Sequence, residues 1–217
     1  MRWLIVGAGA QGRITLDILR STRPCDEFLF GDDDPTRIGQ IVHGHLVVAR
    51  RTATPDPEAT RAILAIGNNL VRLRLAKEMG GAGWVFGKAI HPSAIVMGSA
   101  SLGEGVSLCP SAVIGSGAAV GDHALVNTAA VVEHDCIIEP GASLSPGVRM
   151  GGRVVVGRAA FIGVGATLNP RMRIGAGAII GAGAVVTRNV PPGMLAFGVP
   201  ARIIRPVDAE RDWPRLL

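Results

Sequence analysis

The sequence predicts two units of different class: a small α/β, Rossmann-like domain at the N-terminus, followed by a parallel β-helix. Three observations carry this. A glycine turn, Gly7-Ala8-Gly9-Ala10-Gln11-Gly12, follows a short apolar run. From Val96 onward an aliphatic residue recurs at every sixth position. The composition is skewed toward small side chains, with 30 Gly among 217 residues, 48% hydrophobic but 4% aromatic residues, and no Tyr. Such a bias is the mark of a repeat architecture, and the length allows two modest cores.

The elements follow in chain order. Arg2 to Val6 reads as a buried strand, and Arg13 to Arg20 as a helix with Ile14, Leu16, Ile18 and Leu19 making apolar contacts. The turn between them is a complete GxGxxG in strand-turn-helix context. Backbone amides at the start of that helix, aided by its dipole, form a cradle for phosphate. Glu27 to Phe30 is a second strand leading into Asp32-Asp33-Asp34-Pro35, whose carboxylates suit ribose or base donors. Ala62 to Ile66 is a third strand, ending in Gly67-Asn68-Asn69, and Leu70 to Met79 a second helix. His43 and His45 flank a glycine and read as a solvated loop. A nicotinamide domain needs two mononucleotide halves, and about 85 residues before the hexads leave room for one. The expected boundaries are 1–87 for this domain, 92–190 for the β-helix and 191–217 for a C-terminal tail.

Stepping by six from Val96 to Val186 meets only Val, Leu, Ile and one Met, Met150. A second series, four residues after each of these, runs from Ala100 to Val190 and holds Ala, Val, Cys136 and Met172. Neither a 3.6-residue helix nor a period-two strand keeps a phase of six for so long. A parallel β-helix does, because each hexad supplies one short strand and one turn. The aliphatic residue points inward, the small one fills the bend, and three hexads close a triangular coil, so that about five coils stack.

Charge and cysteines narrow the function. The 22 Lys plus Arg against 17 Asp plus Glu give +5, but the basic residues are scattered singly without aromatic interleaving. That pattern suits a small phosphorylated ligand and argues against nucleic acid. No apolar run approaches the ~18 residues of a membrane span. Cys25, Cys109 and Cys136 are odd in number and lack paired or metal-type spacing, which fits a reducing cytoplasm.

The hexads resemble the hexapeptide-repeat acyltransferases, and Pro191-Pro192-Gly193-Met194 with Gly198-Val199-Pro200-Ala201-Arg202 is similar to the segment after their last coil. The resemblance implies a left-handed β-helix, a homotrimer, and acetyl-CoA held in clefts between subunits. Adding the glycine turn, Asp32-Asp33, Ala65-Ile66-Gly67-Asn68-Asn69 and Ile90-His91-Pro92-Ser93-Ala94, nearly the whole chain resembles one family within that group. It is the sialic-acid O-acetyltransferase and bacillosamine or perosamine N-acetyltransferase family. This implies a first domain that holds a nucleotide-linked amino sugar through Ala10, Gln11, Gly12, Asp32, Asp33 and Gly67. Many relatives have His where Gln11 stands.

The segment from Asn127 to Cys136 resembles the one that carries the family's catalytic histidine, which implies His134 as general base and Asp135 as its acidic partner. His134 lies two places past the inward Val132, so its ring should project from the prism. One coil further on stands Gly152, where a glycine leaves room for a thioester and where relatives place acetyl-CoA. Ser143, His in some relatives, and Val164 are the other implied cofactor positions. Cys136 is expected in the core. His91 is read as structural and His123 as a turn residue. The predicted activity is acetyl-CoA-dependent N-acetylation of a nucleotide-linked 4-amino sugar in cell-surface glycan biosynthesis, without metal. The rivals are O-acetylation of sialic acid or another sugar hydroxyl, and a non-catalytic nucleotide-sensing trimer. A γ-type carbonic anhydrase needs three His ligands, and only His123 and His134 lie in the coils.

Overall fold

The computed structural model of the chain describes residues 1–50, 53–56, 58–208 and 212. The first domain is built on β1 (Arg2–Val6), α1 (Ala10–Thr22), β2 (Glu27–Asp32), β3 (Ile41–Val42), β4 (His45–Ala49), β5 (Thr60–Leu64) and α2 (Asn69–Gly81). Its sheet has the order β3-β4-β2-β1-β5. β1 pairs in parallel with both β2 and β5, and β2 with β4. A central parallel strand is covered on both faces, which is why Trp3, Leu4, Ile5 and Val6 form an unbroken apolar run, each at most 2% exposed. Leu16, Ile18 and Leu19 of α1 pack on one face, and Leu75 and Met79 of α2 on the other. Ile14, expected among the α1 contacts, is instead 39% exposed. Asn68 caps α2, its side chain accepting from the amides of Leu70 and Val71.

The reading of His43 and His45 as a solvated loop holds for His43, exposed in a turn, and is corrected for His45, which opens a strand. Val42 faces His45 in an antiparallel pair, joined through His43 at φ 49° and Gly44 at φ 83°. This is a two-residue hairpin with both turn residues left-handed, the geometry that suits the strand twist. The His45 ring is drawn onto β2, with Nδ1 3.0 Å from the Phe28 carbonyl oxygen. The signal was the apolar Ile41-Val42 and Leu46-Val47-Val48 on either side of a glycine.

The second half is a left-handed parallel β-helix. Among the described residues it has seventeen two-residue strands, from β6 (Ala89–Ile90) to β22 (Val185–Val186). They form three faces, and every strand stacks on the one eighteen residues away, as Val131–Val132 does on Val113–Ile114 below and on Arg149–Met150 above. The aliphatic series from Leu108 to Val186 is at most 2% exposed, and the small series from Val106 to Ala184 is buried apart from the half-buried Met172. Val96, in the first coil, is 37% exposed because nothing stacks below it.

The segment 191–217 begins with two further strands. β23 (Met194–Gly198) continues one face in parallel with Ile179–Ile180, and β24 (Ala201–Pro206) folds back antiparallel on it. Among the described residues no helix is long and apolar enough to cross a membrane.

The bends hold small residues because the corners of the prism have no room for more. Ala166, fully buried, tests this: Ala166→Leu is expected to lower unfolding stability by about 1–3 kcal/mol through overpacking, measured by denaturant titration against the unchanged chain.

Candidate functional site

His134 and Asp135 occupy the corner between Val131–Val132 and Ile137–Ile138. The chain turns there with Asp135 at φ 56°, which swings both side chains outward, each about half exposed. His134 Nδ1 lies 2.9 Å from Asp135 Oδ2. Arg153, one coil above, brings its Nε to 3.6 Å from the same oxygen. The hydrogen bond from His134, and then the positive charge of Arg153, hold the Asp135 carboxyl below its ordinary range. An ionised Asp135 is an acceptor only, so Nδ1 carries the proton and Nε2 presents a lone pair outward. Gly152 stands directly over the ring: a Cβ there would overlap His134 Nε2.

Cysteines offer no second nucleophile at this corner. Cys136 is fully buried and its Sγ bonds to the Gly151 carbonyl, while burial pushes the thiol up from its usual range. Cys109 is pushed up to about 11 by the same cause.

A cleft of about 890 Å³ runs between the first domain and the face of the prism that carries Leu125, Ser143 and Phe161. Gly9, Ala10, Gln11, Asp32, Arg37 and Gly67 line its upper wall, and Asn127, Ser145, Gly163 and Val164 its lower one. The N-terminus of α1 opens here with Gly9 as an N-cap that supplies no side-chain bond and no acid in its first turn. Its free amides therefore keep their anion-binding capacity. Arg37 hangs over the same turn, pairing with Asp34 at 3.4 Å and Asp32 at 3.9 Å. Asp32 fixes the turn in return, since its Oδ2 accepts the Ala8 amide at 2.9 Å.

The cleft thus unites Ala10, Gln11, Asp32, Gly67, Ser143 and Val164. It does not include Gly12, Asp33, His134, Asp135 or Gly152. Gly12 packs on the Gly7 carbonyl, which a Cβ would overlap, so its lack of a side chain lets the helix start against the strand. Asp33 turns away and pairs with Arg50 at 2.8 Å, beside Glu78. Alternation along the extended chain sends neighbouring side chains to opposite faces, so Asp32 and Asp33 could not both enter the cleft. Ser143 is 3% exposed, donates to Asn69 Oδ1 and accepts from Arg72, so its hydroxyl is committed within the protein. Arg37, Asn68, Asn127 and Ser145 line the cleft without having been picked out from the sequence. Arg37 alone had a signal there, a cation three residues after the acidic Asp32-Asp33-Asp34 run. His91 is held by Ser93, and His123 is buried edge-on against Phe86.

Residues 2–79 match the model of the PglD N-terminal domain family. The whole chain is similar to PerB of Caulobacter crescentus, solved with CoA and GDP-perosamine, at 38% identity over 94% of this chain and 98% of that one, TM-score 0.87. The acetyltransferase domain of PglB from Neisseria gonorrhoeae, solved with acetyl coenzyme A, shares 31% identity over 94% and 98%, TM-score 0.88. WeeI of Acinetobacter baumannii shares 28% over 94% and 100%, TM-score 0.87. Comparison with curated protein sequences gave no match.

The lack of a side chain at Gly152, against which the imidazole packs, is the feature of this corner most easily changed. Gly152→Ala is expected to push the ring off its bond to Asp135 while the chain stays folded. Imidazole nitrogen-15 shifts would report it, and unchanged shifts with the Nδ1–Asp135 bond intact would contradict the contact.

Proposed function

We propose the site chemistry of this chain from one premise: it belongs to the sialic-acid O-acetyltransferase and bacillosamine or perosamine N-acetyltransferase family of left-handed β-helix acyltransferases. It is an acetyl-CoA-dependent sugar N-acetyltransferase of glycan biosynthesis, acting on the amino group of a nucleotide-linked 4-amino sugar. The observation that carries the site assignment is the His134–Asp135 pair packed against Gly152, a position where any side chain would displace the ring.

In this reading the nucleotide lies in the first domain. The amides opening α1 and the Arg37 guanidinium meet its diphosphate, and Ala10, Gln11, Asp32 and Gly67 line the rest of its path. Asp32 remains a substrate contact by way of its placement. Asp33 does not, because it is spent on Arg50. Val164 and Gly152 line the acyl donor's path, and Ser143 reaches it only through the wall it helps build.

His134 Nε2 takes the proton from the sugar amine as the nitrogen attacks the thioester carbonyl. Asp135 stabilises the imidazolium that results and keeps the ring in the productive tautomer. A backbone amide at Gly152 meets the carbonyl oxygen as it gains charge. Collapse breaks the carbon–sulfur bond, and the imidazolium returns its proton to the departing thiolate. Direct transfer needs no cysteine, consistent with the burial of Cys109 and Cys136.

Within one copy His134 sits on a different corner of the prism from the cleft, so the site needs the corner of a neighbour. We read the working form as a cytoplasmic homotrimer in which each copy lends its His134 corner to the next copy's cleft. Support comes from apolar side chains left open along those surfaces, Ile137 and Val164 on the coils and Phe197, Val199 and Ile203 on the terminal hairpin. Closed cyclic symmetry satisfies all three copies at once. Light scattering should give three times the 22.4 kDa chain, and an active monomer would exclude the arrangement.

His134→Ala is expected to lower turnover about 10²- to 10⁴-fold, roughly 3 to 5 kcal/mol of barrier. It should still fold and bind acetyl-CoA, because the side chain points away from the core. Thiol release from acetyl-CoA, assayed with UDP-, GDP- and dTDP-linked 4-amino sugars, measures this. Turnover should also fall on acidification, since protonated imidazole is no base and Asp135, already held low, stays ionised. Retention of more than about a tenth of turnover with chemistry limiting would falsify the assignment.

A further inference from the structure

We propose that Arg72 is a positioning residue that sets the Ile66–Gly67 wall of the cleft against the β-helix, a role that rests on that cleft being the sugar-nucleotide site. Arg72 stands in the first turn of α2 and is 2% exposed. Its guanidinium meets acceptors on every side. Nε donates to the His123 carbonyl at 2.9 Å. One terminal nitrogen donates to the Ile66 carbonyl at 2.6 Å and the Gly67 carbonyl at 3.4 Å. The other donates to Asn69 Oδ1 at 2.8 Å, the Gly141 carbonyl at 2.9 Å and Ser143 Oγ at 3.0 Å.

These acceptors belong to two bodies. Ile66 and Gly67 form the loop that lines the cleft. His123 and Gly141 occupy the same corner position on consecutive coils, joined by the bond from the Gly141 amide to the Asp122 carbonyl. Asn69 extends the grip by one more coil, its Nδ2 donating to the carbonyls of Ala159 and Ala160 at 3.1 and 3.0 Å. Ser143 closes the network by donating to Asn69 Oδ1 at 2.7 Å. Thus two residues of α2 hold one corner of the prism at three successive levels, and the same guanidinium holds the cleft loop.

No carboxylate among the described residues pairs with Arg72, and burial pushes its pKa down to about 10. Simple adhesion between two domains needs no such group, since apolar side chains join surfaces without burying a charge. A planar fork with five fixed donors instead fixes angles as well as contact, which an ammonium group cannot do. What it fixes is the height of Ile66 and Gly67 over the face where Ser143 and Phe161 lie. A nucleotide sugar seated on the loop is thereby held at one level of the coil stack, the level at which its amine must meet the acyl donor. A loop released from that level loses contacts to the bound nucleotide, so the loss is read in the KM of the sugar nucleotide.

The test uses the full-length chain with the Arg72→Lys and Ser143→Ala variants. It combines steady-state kinetics with hydrogen exchange followed by mass spectrometry. Arg72→Lys is expected to raise KM for the sugar nucleotide by about tenfold or more and leave KM for acetyl-CoA within about twofold, with faster exchange confined to residues 66–70. Ser143→Ala should shift the same quantities in the same direction by about threefold, since it removes one acceptor of six. A fall in Tm with neither KM nor exchange at 66–70 altered would reduce Arg72 to a stability element and overturn the proposal. Should Arg72→Lys not fold, Ser143→Ala decides alone: an unchanged sugar-nucleotide KM, or a rise in the acetyl-CoA KM in its place, overturns it. If the unsubstituted chain turned over no sugar nucleotide, the reading of the cleft would fail by itself. Exchange at 66–70 would then still judge the pin, faster in the variants if it is right and unchanged if it is wrong.

Discussion

Hydrogen bonds between coils eighteen residues apart are the constraint on which the rest of this structure depends. Each strand of the coils is two residues long and could not persist alone, yet each inner one is paired above and below in fixed register. Stacking at fixed register turns sequence distance into spatial adjacency. Gly152 lies over His134 and Arg153 over Asp135 for this reason. The carbonyls of His123, Gly141 and Ala159 line up for α2 to hold by the same rule. A corner defined in this way is stiff, because moving one turn means breaking bonds to both neighbours. Stiffness suits the proposed role of His134 as a general base, which must keep its lone pair aimed at a substrate carried by another element.

The same rule explains why the fold could be read from the sequence almost complete. A phase of six kept from Val96 to Val186 has one structural solution, and the burial of that series follows from it. The first domain was legible where local chemistry is strong, in the GxGxxG turn and in the buried β1. It was less so at β3 and β4, whose two-residue turn depends on His43 adopting a left-handed conformation more often given to Asn or Gly. The helix bounds moved outward by one to three residues, since Asn68 and Gly9 act as caps beyond the apolar pattern. Ile14 kept its place on α1 but faces the cleft, because the helix has two partners and the sequence pattern shows only one.

Site residues were legible to the extent that their roles are set by the coil. His134, Asp135 and Gly152 come together because register requires it. Side chains whose placement depends on the junction of the two domains were not. Asp33 and Asp32 are adjacent and chemically alike, and what separates them is Arg50, buried and seventeen residues away, which binds the one facing outward. Ser143 likewise carries no hint that a guanidinium from another domain would claim its hydroxyl. It stands where Arg72 and Asn69 converge, and its hydroxyl is bonded to both within the wall of the cleft.

The electrostatics of the two halves of the site differ in a way that fits their tasks. At the base, opposite charges are matched: Asp135 lies between His134 and Arg153, so gain of a proton by the ring is met by a carboxylate already in place. At the cleft the charged side chains are one guanidinium, Arg37, and two carboxylates, Asp32 and Asp34, set beside the partial positive charge of the α1 N-terminus. The α1 N-terminus has no acid in its first turn, while Arg72 is buried behind the Ile66–Gly67 loop with its donors committed to protein acceptors and does not line the cleft. Arg37 is ion-paired with Asp34 at 3.4 Å and with Asp32 at 3.9 Å. In the proposed reading a diphosphate entering the cleft meets the uncapped amides of the α1 N-terminus, which an uncharged sugar would use less strongly. In that reading recognition rests on the nucleotide end of the substrate, and the corner at His134, where the charges of Asp135 and Arg153 balance, is left to the nucleophile.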